Sequence, residues 1–277
     1  MSSRTSGHFG SGGLSLHYLE YGSGPTDLVV VPGITSPAIT WEFVAERLAD
    51  EYRVLILDVR GRGLSDKPAH GFSLRDYADD LAAMVRELGL ARPALLGHSM
   101  GARIVAAFAV LHPGSAGPLV IADPPLSGPG RDPYPITLER FREQIRQARA
   151  GLTVAEVRRQ YPRWSEDACR LRAEWLATCD ETAVVESHRG FENEDILPYL
   201  RKLSPPALFV YGLDSPVVTE AGAREVADAN PVLEIVGIPD AAHMLPWENL
   251  DGFLEPTRRF LAGATRPADP VVKGGPE

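Results

Sequence analysis

The sequence predicts an α/β fold: a mostly parallel central sheet, helices on both faces, and a helical insertion before the last strands. Three observations carry this. Short apolar runs of strand length alternate with amphipathic stretches of helical period up to Asp123. The runs "LVVV" and "VLIL" are continuously apolar, as in strands buried on both faces. From residue 124 to 204 the pattern turns helical and arginine-rich, after which strand-like runs resume.

Taken in order, "MSSRTSGHFGSGG" is polar and glycine-rich, lacks the apolar segment of a signal peptide, and is expected to be a loose tail. "LSLHYLEYG" alternates with period two, as a half-exposed opening strand does. "DLVVVPG" and "YRVLILDVRG" are the first buried strands, with the short helix "WEFVAERLAD" between them. Ser73 is placed to cap a helix whose face is marked by Leu74, Tyr77, Ala78, Leu81, Met84, Val85 and Leu88. Asp76, Asp79 and Asp80 suit its N-terminal half and Gly89 its C-terminal turn. "PALLG" is a strand running directly into "HSMG", and "ARIVAAFAVLHP" is a helix ending before Pro113. "PLVIAD" is the next strand.

"PPLSGPGRDPYP" is too rich in proline and glycine to continue the sheet, and three helical stretches follow it: "TLERFREQIRQARAG", "TVAEVRRQYPRW" and "DACRLRAEWLATC". The sheet pattern returns in "PALFVYG" and "VLEIVGI", separated by a helix starting near Thr219. "WENLDGFLEPTRRFLAG" is a closing amphipathic helix and "ATRPADPVVKGGPE" a solvated tail. The expected organisation is a discontinuous core, residues 14–123 and 205–264, with residues 124–204 as a helical cap over the carboxyl ends of the strands.

With 277 residues, 44% of them hydrophobic, the chain can bury a large core. No apolar run approaches the ~20 residues needed to span a bilayer, so no membrane partner is expected. Its two cysteines, Cys169 and Cys179, fit neither a redox pair nor a disulfide framework, which points to the reducing cytoplasm. A net charge of −9 with scattered basic residues argues against nucleic acid, leaving a small molecule as the expected partner. If that molecule is an anion, local arginines must overcome the overall field.

The chemistry centres on "LLGHSMGAR". A strand, a tight turn with Gly97 and Gly101 on either side of Ser99, then a helix, is the setting of a nucleophile elbow. The plainer alternative is a serine that merely caps the helix. A serine hydroxyl needs a base. Of the seven histidines, His8 falls in the tail, His17 in the opening strand, His70 in a loop and His112 at a helix end. His188 lies in the insertion, where it is placed to touch substrate rather than to act as a fixed base. His98 adjoins Ser99, where neighbouring side chains diverge. His243, between the last strand and the closing helix, is the expected base, since it follows the serine in chain order as the α/β-hydrolase arrangement requires.

Two aspartates end strands and compete for the acid: Asp123 and Asp214. Many hydrolases of this fold carry the acid three residues after the glycine of the later strand. That position is Ser215, and Asp214 comes one residue early, so Asp123 is the expected acid and Asp214 the alternative. The oxyanion donors are expected to be the main-chain N–H groups of Met100 and Ile34. Arg60 and Arg62 of "DVRGRGLSD" read as structural. No H-E-x-x-H or similar cluster occurs, and neither metal nor cofactor is expected.

The segments "VPGITSPAITW", "LDVRGRGLS", "LLGHSMGAR", "DPPLSGPG", "RAEWLATC" and "HMLPWENLDGF" together resemble the N-formylmaleamate deformylase family of nicotinic acid degradation, from about residue 14 to 262. The resemblance implies an α/β-hydrolase fold with a helical cap and a Ser99–His243–Asp123 triad. It further implies deformylation of an anionic N-formyl amide to formate and maleamate. The implied substrate carboxylate calls for an arginine; Arg103, Arg131, Arg140 and Arg163 are candidates, none of them singled out. The sequence departs from the family around "YGLDSP" and in parts of the insertion. A carboxylesterase, a ring-cleavage-product hydrolase of the same fold, and a non-catalytic small-molecule receptor are the alternative functions.

Overall fold

The computed structural model describes residues 4–204 and 206–264. An eight-stranded sheet runs through the core: β1 (Arg4–Ser11), β2 (Leu14–Tyr21), β3 (Thr26–Val31), β4 (Tyr52–Leu57), β5 (Ala94–His98), β6 (Leu119–Ala122), β7 (Ala207–Gly212) and β8 (Glu234–Ile238). Their spatial order is β1-β2-β4-β3-β5-β6-β7-β8. β1 pairs antiparallel with β2, and β2 with β4; every later pair is parallel.

Residues 4–11, expected to be loose, form a full strand paired from Arg4↔Tyr21 to Ser11↔Leu14. Only Phe9 and Ser11 of that strand are buried, which is why its polarity reads as a tail. What builds it is the Gly12–Gly13 turn: both residues have positive φ, 55° and 84°, as a two-residue type I′ hairpin requires. The core sheet therefore begins at Arg4 rather than at residue 14. The closing tail expected from Ala264 falls almost wholly outside the described residues.

The apolar runs split by parity between the two faces of the sheet. Val29, Val31, Leu55, Leu57 and Leu95 join one buried cluster with α2 (Leu74–Glu87) and α3 (Met100–Leu111). Leu28, Val30, Val54, Ile56 and Leu96 join another with α1 (Glu42–Leu48) and α11 (Leu250–Ala264). Both faces are covered, so both parities are apolar. Ser73 closes a capping box with Asp76 at the start of α2.

Between β6 and β7 the chain forms α4 (Leu138–Arg149), α5 (Val154–Gln160), α6 (Glu166–Trp175), α7 (Glu181–Asn193) and α8 (Leu197–Arg201). After β7 come α9 (Glu220–Ala229), β8 and the short α10 (Leu245–Glu248).

Two buried arginines tie the insertion to the core. Arg62 donates to the Ile34 carbonyl (3.0 Å) and the Tyr77 hydroxyl (2.7 Å). It also reaches Ser187 Oγ (2.9 Å) on α7 and Met100 Sδ (3.8 Å). Arg103 donates to the carbonyls of Pro125 (2.8 Å), Ser127 (3.2 Å) and Glu194. Arg60 forms a two-point pair with Asp80, both contacts 2.6 Å. All three are fully engaged in structure.

Candidate active site

β5 delivers Ser99 to a turn that its neighbours make obligatory. A Cβ on Gly101 would stand 1.8 Å from the Val31 carbonyl oxygen, and one on Gly97 would stand 2.3 Å from the Gly101 oxygen. Only glycines let strand and helix approach so closely. Ser99 itself sits at φ 56°, ψ −118°, a strained backbone for an L-residue, and its side chain makes no capping hydrogen bond to α3. The plain helix-cap alternative is therefore absent. Instead Ser99 Oγ lies 3.0 Å from His243 Nε2, and His243 Nδ1 lies 2.6 Å from Asp123 Oδ2.

The ring of His243 is placed by its backbone. Its carbonyl accepts from His98 Nε2 at 2.7 Å, and the preceding Ala242 N–H donates to Glu248 Oε2 at 2.5 Å. Since a carbonyl only accepts, His98 carries its proton on Nε2, leaving Nδ1 bare, and that atom is buried without a partner. Burial, reinforced by the nearby His243 charge, pulls the His98 imidazole down to about 3, so it stays neutral. Read in the same way, His243 donates from Nδ1 to Asp123 and offers Nε2 to Ser99.

Asp123 is fully buried at positive φ just beyond β6. Burial pushes its carboxyl upward; His243, the Ser215 hydroxyl and the Gly212 N–H oppose that and favour the charged form. Ser215 Oγ donates to Oδ2 at 2.6 Å and Gly212 N to Oδ1 at 3.3 Å. Asp214, the alternative acid, is exposed. Ser215, the residue at the later-strand position, thus serves Asp123 as a hydrogen-bond donor.

Ile34 lines the cavity in front of Ser99, and Met100 begins α3. Among the described residues neither N–H has an internal acceptor. The cavity is small, about 60 Å³. Gly33, Ile34, Thr35, Ser99 and His243 form its sheet side; Phe141, Gln144, Tyr161, Trp164 and Arg172 come from the insertion. Tyr134 closes the space between them, its ring edge-on to His243 at 6.5 Å. Burial holds the Tyr134 phenol far above its usual range, so it keeps its proton.

None of the four arginines named from the sequence lines this cavity. Arg103 is spent on insertion carbonyls, Arg131 pairs with Glu225 (2.5 Å), Arg140 is exposed, and Arg163 donates to the Asp240 carbonyl (2.7 Å). His188 bonds the Ile136 carbonyl (2.9 Å) and lies outside the cavity wall. The arginine that does line it is Arg172. The available signal was helical phase: Arg172 shares the buried stripe of α6 with Ala168, Cys169 and Leu171. A larger cleft of about 520 Å³ beside β1 and β2 already pairs its polar groups, His17 with Asp58 (2.7 Å) and Arg4 with Glu42 (3.4 Å).

A family model described as the alpha/beta hydrolase fold matches residues 28–250. The chain belongs to that family. It is 41% identical over 256 residues to N-formylmaleamate deformylase of Pseudomonas putida KT2440, covering 92% of this chain and 96% of the relative. A 2-(acetamidomethylene)succinate hydrolase of Mesorhizobium japonicum is 31% identical over 84% of this chain and 86% of its own. The crystal structure of the N-formylmaleamic acid deformylase of Pseudomonas putida S16 matches this α/β-hydrolase with a TM-score of 0.85 at 39% identity. That match covers 90% of this chain and 98% of the other.

Proposed function

We propose that this α/β-hydrolase cleaves the formyl C–N bond of N-formylmaleamate, or of a closely related anionic N-acyl amide, releasing formate and maleamate. The observation that carries this reading is the unbroken chain from Ser99 Oγ through His243 to Asp123, 3.0 and 2.6 Å, facing the cavity between the sheet and the insertion. The similarity to two hydrolases of small amides supports it.

Ser99 Oγ bonds to the formyl carbon while His243 Nε2 takes the hydroxyl proton. The carbonyl π pair moves onto oxygen, held by the N–H groups of Ile34 and Met100. Asp123, charged and buried, steadies the imidazolium. The C–N bond then breaks as His243 returns the proton to the departing nitrogen. That nitrogen leaves as a neutral primary amide, a better leaving group than an amine. Water attacks the formyl-serine with His243 again as base, and collapse frees formate and Ser99. Side chains and main-chain donors fill every role, so the reaction as proposed draws on no metal.

The test is formate release from N-formylmaleamate beside hydrolysis of p-nitrophenyl esters. Formate and maleamate are expected in equal amounts, and Ser99→Ala should lower kcat by about 10⁴-fold or more. Rapid ester turnover without formate would replace this reading with a carboxylesterase.

A further inference from the structure

Arg172 presents a buried cation to the cavity with no anion beside it. Its Nη1 donates to the Thr35 carbonyl (2.5 Å) and hydroxyl (3.1 Å), and its Nη2 reaches Gln144 Oε1 only at 3.4 Å. All of these partners are neutral. Among the described residues, no aspartate or glutamate lines the cavity. The thiol of Cys179, which feels the Arg172 charge, is pushed up to about 11 by burial and supplies no thiolate. A guanidinium keeps its charge under such conditions, and a buried charge without a counter-ion is costly. Arg62 and Arg103 bear the same cost within packed structure; Arg172 differs in that it bears it on the wall of the cavity in front of Ser99.

A second observation points the same way. Trp164 lines the cavity, is almost wholly buried, and its Nε1–H has no partner. The ring is fixed between Tyr161 (4.2 Å, 19°) and Trp247 (5.4 Å, 24°). Tyr161 Oη accepts from Gln144 Nε2 at 3.5 Å, which leaves its own proton to donate. The insertion side of the cavity is thus a wall of donors: guanidinium, indole N–H and phenol O–H. Donors in that number around one cation match a carboxylate.

We propose that Arg172 seats the substrate carboxylate, flanked by Trp164 and Tyr161, and thereby selects short anionic N-formyl amides over neutral ones. This rests on the reading of Ser99 as the nucleophile that attacks the formyl carbon. Because Arg172 also holds Thr35, the residue after Ile34, a bound carboxylate steadies the loop that carries an oxyanion donor.

Formate release is measured for the wild type, Arg172→Gln, Arg172→Lys and Trp164→Phe. The substrates are N-formylmaleamate and its analogue with a primary amide in place of the carboxylate. The wild type should favour the anion by about 100-fold in kcat/KM. Arg172→Gln should cut that preference by at least about 30-fold, chiefly through KM for the anion, and Trp164→Phe by about 5-fold. Arg172→Lys, which keeps the charge and loses the fork, should fall between Arg172→Gln and the wild type.

An equal loss on both substrates in Arg172→Gln would make Arg172 only a strut for Thr35 and overturn the proposal. A wild type indifferent to the carboxylate overturns it too, whether or not the variants fold. Labelling of Ser99 by a small neutral fluorophosphonate separates the two failures. Labelling without carboxylate preference refutes the anchor alone, whereas an unlabelled wild type refutes the nucleophile reading beneath it.

Discussion

On the sheet side of the cavity, Ser99, Asp123 and His243 stand on turns whose backbones are pinned by glycine packing and strand ends. On the insertion side, Gln144, Tyr161, Trp164 and Arg172 come from separate helical segments and meet only through side chains. Each residue of the first wall is set by its own turn at a strand end, the second wall by how helices pack. The sheet wall therefore holds the reacting groups to fixed geometry, while the helical wall supplies donors and reaches the sheet wall through Arg172 and Thr35.

Six substitutions and a change of pH test that contrast. The largest effect is expected from the sheet wall: Asp123→Asn should lower kcat by about 10⁴-fold, because a neutral amide neither stabilises the imidazolium nor fixes its tautomer. Asp214→Asn should stay within about twofold. Steady-state formate release decides between them, and the reverse ranking would move the acid to the later strand.

The seam between the walls comes next. Arg62→Met strands the Ile34 and Arg60 carbonyls in the interior, so urea unfolding should show a loss of about 3 kcal/mol. Should the loss be below 1 kcal/mol, the two walls are independent.

A smaller effect should come from pH. Free histidine titrates near 6.5, whereas folded His98 does so at about 3, so below pH 6.5 only the unfolded chain gains this proton. Stability therefore rises with pH between about 3 and 6.5 and is flat above. Moving from pH 7 to 5 should cost the wild type about 2 kcal/mol more than His98→Gln, read from urea midpoints at both values. A pH response shared equally by both proteins would show that His98 is not held neutral. The smallest effects belong to arginines outside the cavity: Arg140→Ala and Arg131→Ala should each change stability by less than about 1 kcal/mol and leave KM nearly unchanged.

The same contrast explains what could be read from sequence. The elbow is legible because Gly97, Ser99 and Gly101 are neighbours in the chain and their spacing states the turn. Asp123 is legible because it directly follows a strand, while Asp214 comes one residue before the later-strand position held by Ser215. Arg172 is not, because the insertion is rich in arginines and only the packing of α6 turns this one toward the cavity, while Arg103, near the nucleophile in sequence, is spent on insertion carbonyls. Tyr134 is hidden for a similar reason, lying in a proline-rich stretch whose path depends on helices far along the chain. β1 was masked by polarity, since pairing with β2 rather than burial makes it a strand.

Ser215 touches the Asp123 carboxylate from the neighbouring strand, so two separate places in the chain reach one point behind the imidazole. The negative charge there belongs to a location more than to a residue. Exchanging the two side chains, serine at 123 and aspartate at 215, would hand the duty from one strand to its neighbour with the sheet left as it stands.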